Sequence, residues 1–179
     1  MRYLLFFLSI GLLVSCSSPQ KKAAEEISAN LEKVNASFGN NQLDTASARK
    51  AEQAIGAFLQ KYPQDSMASE YLFDLGMLYQ KQRKFEEALN AFDKCYREYP
   101  DSKMAPNAVF LQGFLYANVL NNLDKAREKY QLYLDKYSAV DPKVTSDVKM
   151  ELDNLGKSAD QLLKEIQEKS KADSTMAQG

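Results

Sequence analysis

The sequence predicts an all-α fold, a solenoid of antiparallel helix pairs with a C-terminal capping helix pair, on three observations. Similar segments recur every 37 residues or so, apolar residues within them fall at helical spacing, and small residues and prolines recur where paired helices must cross and stop. Aligning AIGAFLQKYPQDSMASEYLFDLGMLY with ALNAFDKCYREYPDSKMAPNAVFLQGFLY brings Pro63 onto Pro100, Gly76 onto Gly113 and Tyr79 onto Tyr116, each 37 residues apart. Ala51, Ala88 and Ala126 share another position, and Ile55, Phe92 and Tyr130 the one four residues later. The last shift is 38, because the turn at Asn121-Asn122 carries an extra residue.

At the N-terminus, Arg2 precedes an apolar stretch of 11 residues from Tyr3 to Leu13. That length suits the core of a signal peptide and is too short for a membrane-spanning helix, which needs about 20 residues. The stretch ends in Leu13-Val14-Ser15-Cys16, which resembles the lipobox of bacterial lipoproteins. Residues 1–15 are therefore expected to be a lipoprotein signal peptide and Cys16 the lipidated first residue of the mature chain. The alternative is an ordinary secretory signal that leaves Cys16 to pair with Cys95, although two cysteines make a sparse disulfide framework. Several acyl chains on one cysteine give stable anchoring where a single chain gives only marginal binding. Ser17, where the resemblance would place Asp for inner-membrane retention, points to the outer membrane. Residues 16–24 read as a lipidated tether.

About three repeats are expected over residues 25–140. The first keeps Gly39, Ala51 and Pro63, with Ile27, Leu31, Val34 and Phe38 forming an apolar stripe. In the second, Gly76 and Ala88 are small where two helices cross, Leu75, Tyr79 and Phe92 are expected to fill the space between repeats, and Pro100 ends the second helix. A helical glycine costs about 1 kcal/mol against alanine, so its recurrence at one position calls for a packing reason. The third keeps Gly113, Tyr116, Ala126 and Tyr130 but has Gln112 and Ser138 where the second has Leu75 and Pro100.

From residue 141 to 170 two capping helices are expected. Asp141-Pro142 is an N-cap followed by proline at the first helical position, and Val144, Val148, Leu152 and Leu155 form a stripe ending at Gly156. Ser158-x-x-Gln161 is a capping box opening a helix with Leu162, Leu163 and Ile166. Terminal repeats must cover an otherwise exposed apolar face. Residues 171–179 read as a disordered polar tail.

Leu75-Gly76-x2-Tyr79, Ala88-x3-Phe92 and Pro100 together resemble the tetratricopeptide repeat (TPR). With the lipobox and the recurring Tyr62-Pro63-x-Asp65-Ser66 and Tyr99-Pro100-Asp101-Ser102, the chain is similar to the BamD / Tol-Pal coordinator branch of envelope TPR proteins, over residues 44–138. The resemblance implies a right-handed TPR solenoid with a concave groove on the first helix of each repeat. Its positions fall on Glu70, Phe73, Met77, Gln80 and Lys81 in the second repeat, and on Asn107, Phe110, Phe114, Ala117 and Asn118 in the third. Phe73 is expected to stack over Phe110 and Met77 over Phe114. The groove either receives a partner or is covered by the chain's own first or last helix.

Catalytic chemistry has little footing. There is no histidine, the commonest general base. No glycine-rich phosphate loop and no clustered metal ligands occur, so neither cofactor nor metal is expected. Cys95 reads as a buried, inert thiol and Glu86-Glu87 as carboxylates favouring a helix N-terminus. With 23 basic against 24 acidic residues, nothing advertises a nucleic-acid face. Lys81-Gln82-Arg83-Lys84 reads as a solvated helix C-terminus. The expectation is a non-enzymatic, outer-membrane-anchored scaffold facing the periplasm and binding protein partners in an envelope assembly. The alternative is a lipoprotein that captures a peptide, glycan or small molecule in its groove.

Overall fold

The computed structural model describes residues 18–39 and 42–176, with side chains through residue 168. Cys16 and the expected signal peptide lie outside the described residues. Eight helices follow one another: α1 (Pro19–Gly39), α2 (Thr45–Lys61), α3 (Ala68–Lys81), α4 (Phe85–Glu98), α5 (Ala105–Asn118), α6 (Leu123–Tyr137), α7 (Pro142–Asn154) and α8 (Ala159–Met176). No strand occurs among the described residues. The closest packing is within the pairs α1/α2, α3/α4 and α5/α6, and each pair also packs on the next, through α2 on α3, α4 on α5 and α6 on α7.

The pairing follows from glycine. At Gly76 an added Cβ would lie 2.4 Å from the Phe92 ring, and at Gly113 an added Cβ would lie 2.5 Å from the Tyr130 ring. Phe92 and Tyr130 are fully buried, as are Ala88 and Ala126 one turn earlier on the same helices. Phe92 thus fills the crossing within its own repeat and also belongs to the core shared with Ala108 and Leu115 of α5 in the next. Leu75 does face the preceding pair, in a cluster with Ile27, Ile55, Phe58 and Tyr71.

The Tyr-Pro turns join one repeat to the next. Tyr99 Oη donates to the Pro63 carbonyl at 2.6 Å, and Tyr137 Oη donates to the Pro100 carbonyl at 2.9 Å. In the same turns Asp65 accepts from the Met67 N–H at 2.8 Å, and Ser102 from the Ala105 N–H at 3.2 Å. Each satisfies an N–H at a helix start that the helix itself leaves unpaired.

Five expectations are corrected. Gly39 is the last residue of α1, with open space around its Cβ position, and does not mark a helix crossing. The five-residue connection 40–44 displaces the crossing, and Val34 packs there instead with Ala48 and Ala51. Phe38 is 47% exposed and does not share the burial of Ile27 and Val34. Helix α1 begins at Pro19, so residues 19–24 of the expected tether are helical, and Ala23 and Ala24 pack against the first core cluster. At the other end, α7 covers α6 through Val148, Val144 and Leu152, whereas α8 buries none of its described side chains and leaves Leu163 and Ile166 exposed. The capping therefore falls to α7. The expected local signals are nevertheless present: Asp141 accepts from Lys143 and Val144 N–H groups, and Ser158 and Gln161 cap one another reciprocally at 2.8 and 3.3 Å. Helix α8 continues to Met176, into the expected tail.

Candidate partner-binding face

Helices α3 and α5 are the first helices of the two most regular pairs, and the expected groove positions repeat along them at i, i+3, i+7. Phe73, Met77, Gln80, Lys81, Phe110, Phe114 and Ala117 are half-buried, and Glu70, Asn107 and Asn118 are exposed. Partial burial is what an apolar face needs if it is anchored in the core and still open to contact.

The two phenylalanines are anchored within their own repeats. Phe73 meets the Phe92 ring at 5.5 Å between centroids, and Phe110 meets the Tyr130 ring at 6.2 Å. Because Gly76 and Gly113 carry no side chain, the partner-helix ring slides across the first helix and reaches the residue one turn earlier. The expected stacking of Phe73 over Phe110 is therefore replaced by two separate pairs. Both rings contribute to the contacts between paired helices as well as to the concave face.

Phe73, Met77, Phe110 and Phe114 all keep part of their surface exposed. Alongside α3, α1 leaves two hollows. One, of about 460 Å³, is lined by Met77, Gln80 and Lys81 together with Phe38, Arg83 and Phe85. Lys81 Nζ sits 4.3 Å above the Phe38 ring, and the Arg83 guanidinium 5.7 Å from the Phe85 ring centroid. Gln80 Oε1 is buried with no hydrogen-bond partner among the described residues. The second hollow, of about 420 Å³, is lined by Glu70 with Glu32, Asp74, Ile27, Leu31 and Tyr71 among others. Ala117 and Asn118 lie in a third hollow against α7 and the start of α8. Asn118 donates its side-chain amide to the Phe114 carbonyl at 3.2 Å.

Asp74 was not among the sequence-derived positions. Burial raises its carboxyl to about 6, and the neighbouring Glu70 charge adds to the effect. It has no hydrogen bond or ion pair among the described residues. A carboxyl that holds its proton more tightly in the folded state makes the fold more stable as pH falls from about 6 toward 4, and less stable as pH rises through 6. Asp74→Asn should then stabilise the protein by about 1–2 kcal/mol at pH 8, a figure discounted for the part of the group that meets water. The gain should disappear below pH 4. Denaturant titration of both proteins at the two pH values checks this.

Other candidate chemistry resolves into structure. Cys95 is fully buried, its thiol pushed up to about 12 by desolvation, and its Sγ donates to the Ser69 carbonyl at 3.4 Å. Glu86 and Glu87 lie in the first turn of α4. Lys84 pairs with Glu52 at 3.4 Å, and Glu52 also accepts from Tyr79 Oη at 3.2 Å, tying the turn after α3 to α2. Among the described residues no group of acidic or cysteine side chains could hold a metal ion. None of the described helices is long and apolar enough to cross a membrane.

The chain as a whole matches no curated protein. Residues 69–102 and 107–139 each match a family model described as the tetratricopeptide repeat, and these are the α3/α4 and α5/α6 pairs. The protein is thus an all-α, TPR-containing solenoid.

Proposed function

We propose that this protein is a lipid-anchored scaffold of the bacterial outer membrane that faces the periplasm and holds a protein partner on the concave face of α3 and α5. TPR repeats are characteristically non-catalytic and serve protein–protein interaction, and the described residues offer no catalytic constellation against that reading. The observation that carries the proposal is the half-exposed apolar series Phe73, Met77, Phe110 and Phe114. Apolar surface of this kind marks a contact site.

The envelope setting is supported by sequence. The apolar stretch ending in Leu13-Val14-Ser15-Cys16 supports lipidation at Cys16, and Ser17 supports the outer membrane. The repeated Tyr-Pro turns support a role in an assembly like the β-barrel assembly machinery or the Tol-Pal system. With α1 starting at Pro19, three residues beyond Cys16, such an anchor would hold the first repeat close to the bilayer.

Cys16→Ala tests the anchor: acyl labelling should vanish and the signal should stay uncleaved, and normal labelling would overturn it. Chemical crosslinking and capture from intact envelopes tests the face, since a variant lacking the concave aromatic rings should lose the captured partner.

A further inference from the structure

The trough between α1 and α3 is electrically two-ended. The hollow beside the first half of α3 is lined by three carboxylates, Glu32, Glu70 and Asp74, and by no basic residue. The hollow beside the last turn of α3 is lined by two cations, Lys81 and Arg83, and by no acidic residue. None of these five groups forms an ion pair among the described residues, although six ion pairs form elsewhere.

Both ends are held in place without being neutralised. Lys81 and Arg83 rest over the faces of Phe38 and Phe85, which fixes the cations and leaves their charge available. Arg83 also has φ of 61°, a left-handed conformation that glycine or asparagine adopts with less strain. At the acidic end Asp74 is half-buried and without a donor of its own, beside Glu70 at the i−4 position, a like-charge spacing unfavourable in a helix. Asp74 and Lys81 are seven residues apart on one helix, a rise of about 10 Å. A polyproline II segment, with three residues per turn and a rise of about 3.1 Å each, covers that distance in about three residues and returns to the same face.

From this charge complementarity we infer that the trough takes a segment of a protein partner, extended as polyproline II, carrying a lysine or arginine and, three residues away on the same face, an aspartate or glutamate. The cation of the segment sits among Glu32, Glu70 and Asp74, its carboxylate meets Lys81 and Arg83, and apolar residues between them meet Met77 and Leu31. The inference rests on the concave-face reading above and adds the chemistry of the occupant.

The test uses three fluorescein-labelled nonapeptides on a Ser/Val background: a mixed peptide with Lys and Glu three residues apart, a double-acid peptide with Glu at both positions, and a double-base peptide with Lys at both. Binding to the full chain is read by fluorescence anisotropy at low salt. The mixed peptide should bind at least tenfold more tightly than either like-charged peptide. Lys81→Glu with Arg83→Glu should move the preference to the double-base peptide. Glu70→Gln with Asp74→Asn, which adds no charge and keeps side-chain size, should erase the preference for mixed over double-acid. Equal binding of all three peptides, no binding of any, or preferences unchanged in both variants would overturn the inference. So would dimerisation of the chain abolished by the same variants, which would make a second copy the occupant. Should the peptides fail while capture from envelopes still depends on Phe73 and Phe110, the charge register is wrong and the scaffold reading stands. Should that capture fail too, the scaffold reading falls with it.

Discussion

Gly76→Leu should lower stability by about 3 kcal/mol, at the upper end of what overpacking costs, and so lower the melting temperature by roughly 6–12 °C for a chain of this size. The reason is geometric. Even a methyl at Gly76 would stand 2.4, 2.6 and 2.8 Å from three atoms of the Phe92 ring, which is fully buried. Gly76→Ala should therefore also destabilise, despite a gain of about 1 kcal/mol in helix propensity. Combining Gly76→Ala with Phe92→Leu should recover part of the loss, because the smaller side chain gives up the volume the methyl needs. Thermal melting of the four proteins checks the argument. The same crossing recurs at Gly113 and Tyr130, so Gly113→Ala should behave alike. If Gly76→Leu melted like the wild type, the helix crossing described here would be wrong.

Replacing both Phe73 and Phe110 by alanine should abolish partner capture and also lower stability by about 4 kcal/mol. The second effect follows from the aromatic pairs with Phe92 and Tyr130. Full burial of a phenylalanine would make truncation cost about 3–5 kcal/mol, and half-buried rings at sites in separate core clusters should cost about half that each and add. Because stability falls in any case, melting alone does not report on binding. Ile55→Ala supplies the control, since Ile55 is fully buried in a core cluster that contains neither Phe73 nor Phe110. Compared at equal distances below their melting points, Ile55→Ala should keep the partner and the double variant should lose it. Aromatic anchors at a contact face carry a disproportionate share of binding energy, which is why two rings suffice.

Much of the fold was legible because its determinants are local and steric. Gly76 opposite Phe92, the prolines ending α2 and α4, and the Asp141 cap act within a few residues or at a constant offset, and periodic spacing exposes them. The constant offset failed at Gly39, where the five residues 40–44 lengthen the turn and slide the crossing back along α1. Capping signals announced where α8 begins but carry no information on what it packs against, and its stripe of Leu162, Leu163 and Ile166 proved too short to bury. At the candidate site, the positions on α3 and α5 were legible from helical spacing. That Phe73 and Phe110 also brace the paired helices was not, since a ring's reach across a glycine depends on the crossing geometry. Asp74 escaped notice as one charge among many. Its signal was the like-charge pair with Glu70 four residues before it, an arrangement a solvated helix has no reason to keep.

The central claim is that the concave face of α3 and α5 receives a partner protein. A photocrosslinking residue placed at Phe114, on that face, and at Asn90, exposed on α4 away from it, tests the claim most directly. Irradiation of intact envelopes should give an intermolecular adduct from position 114 that disappears when Phe73 and Phe110 are alanine, and none from position 90. Adducts of equal yield from both positions, or only an intramolecular product joining position 114 to α1 or α8, would contradict it.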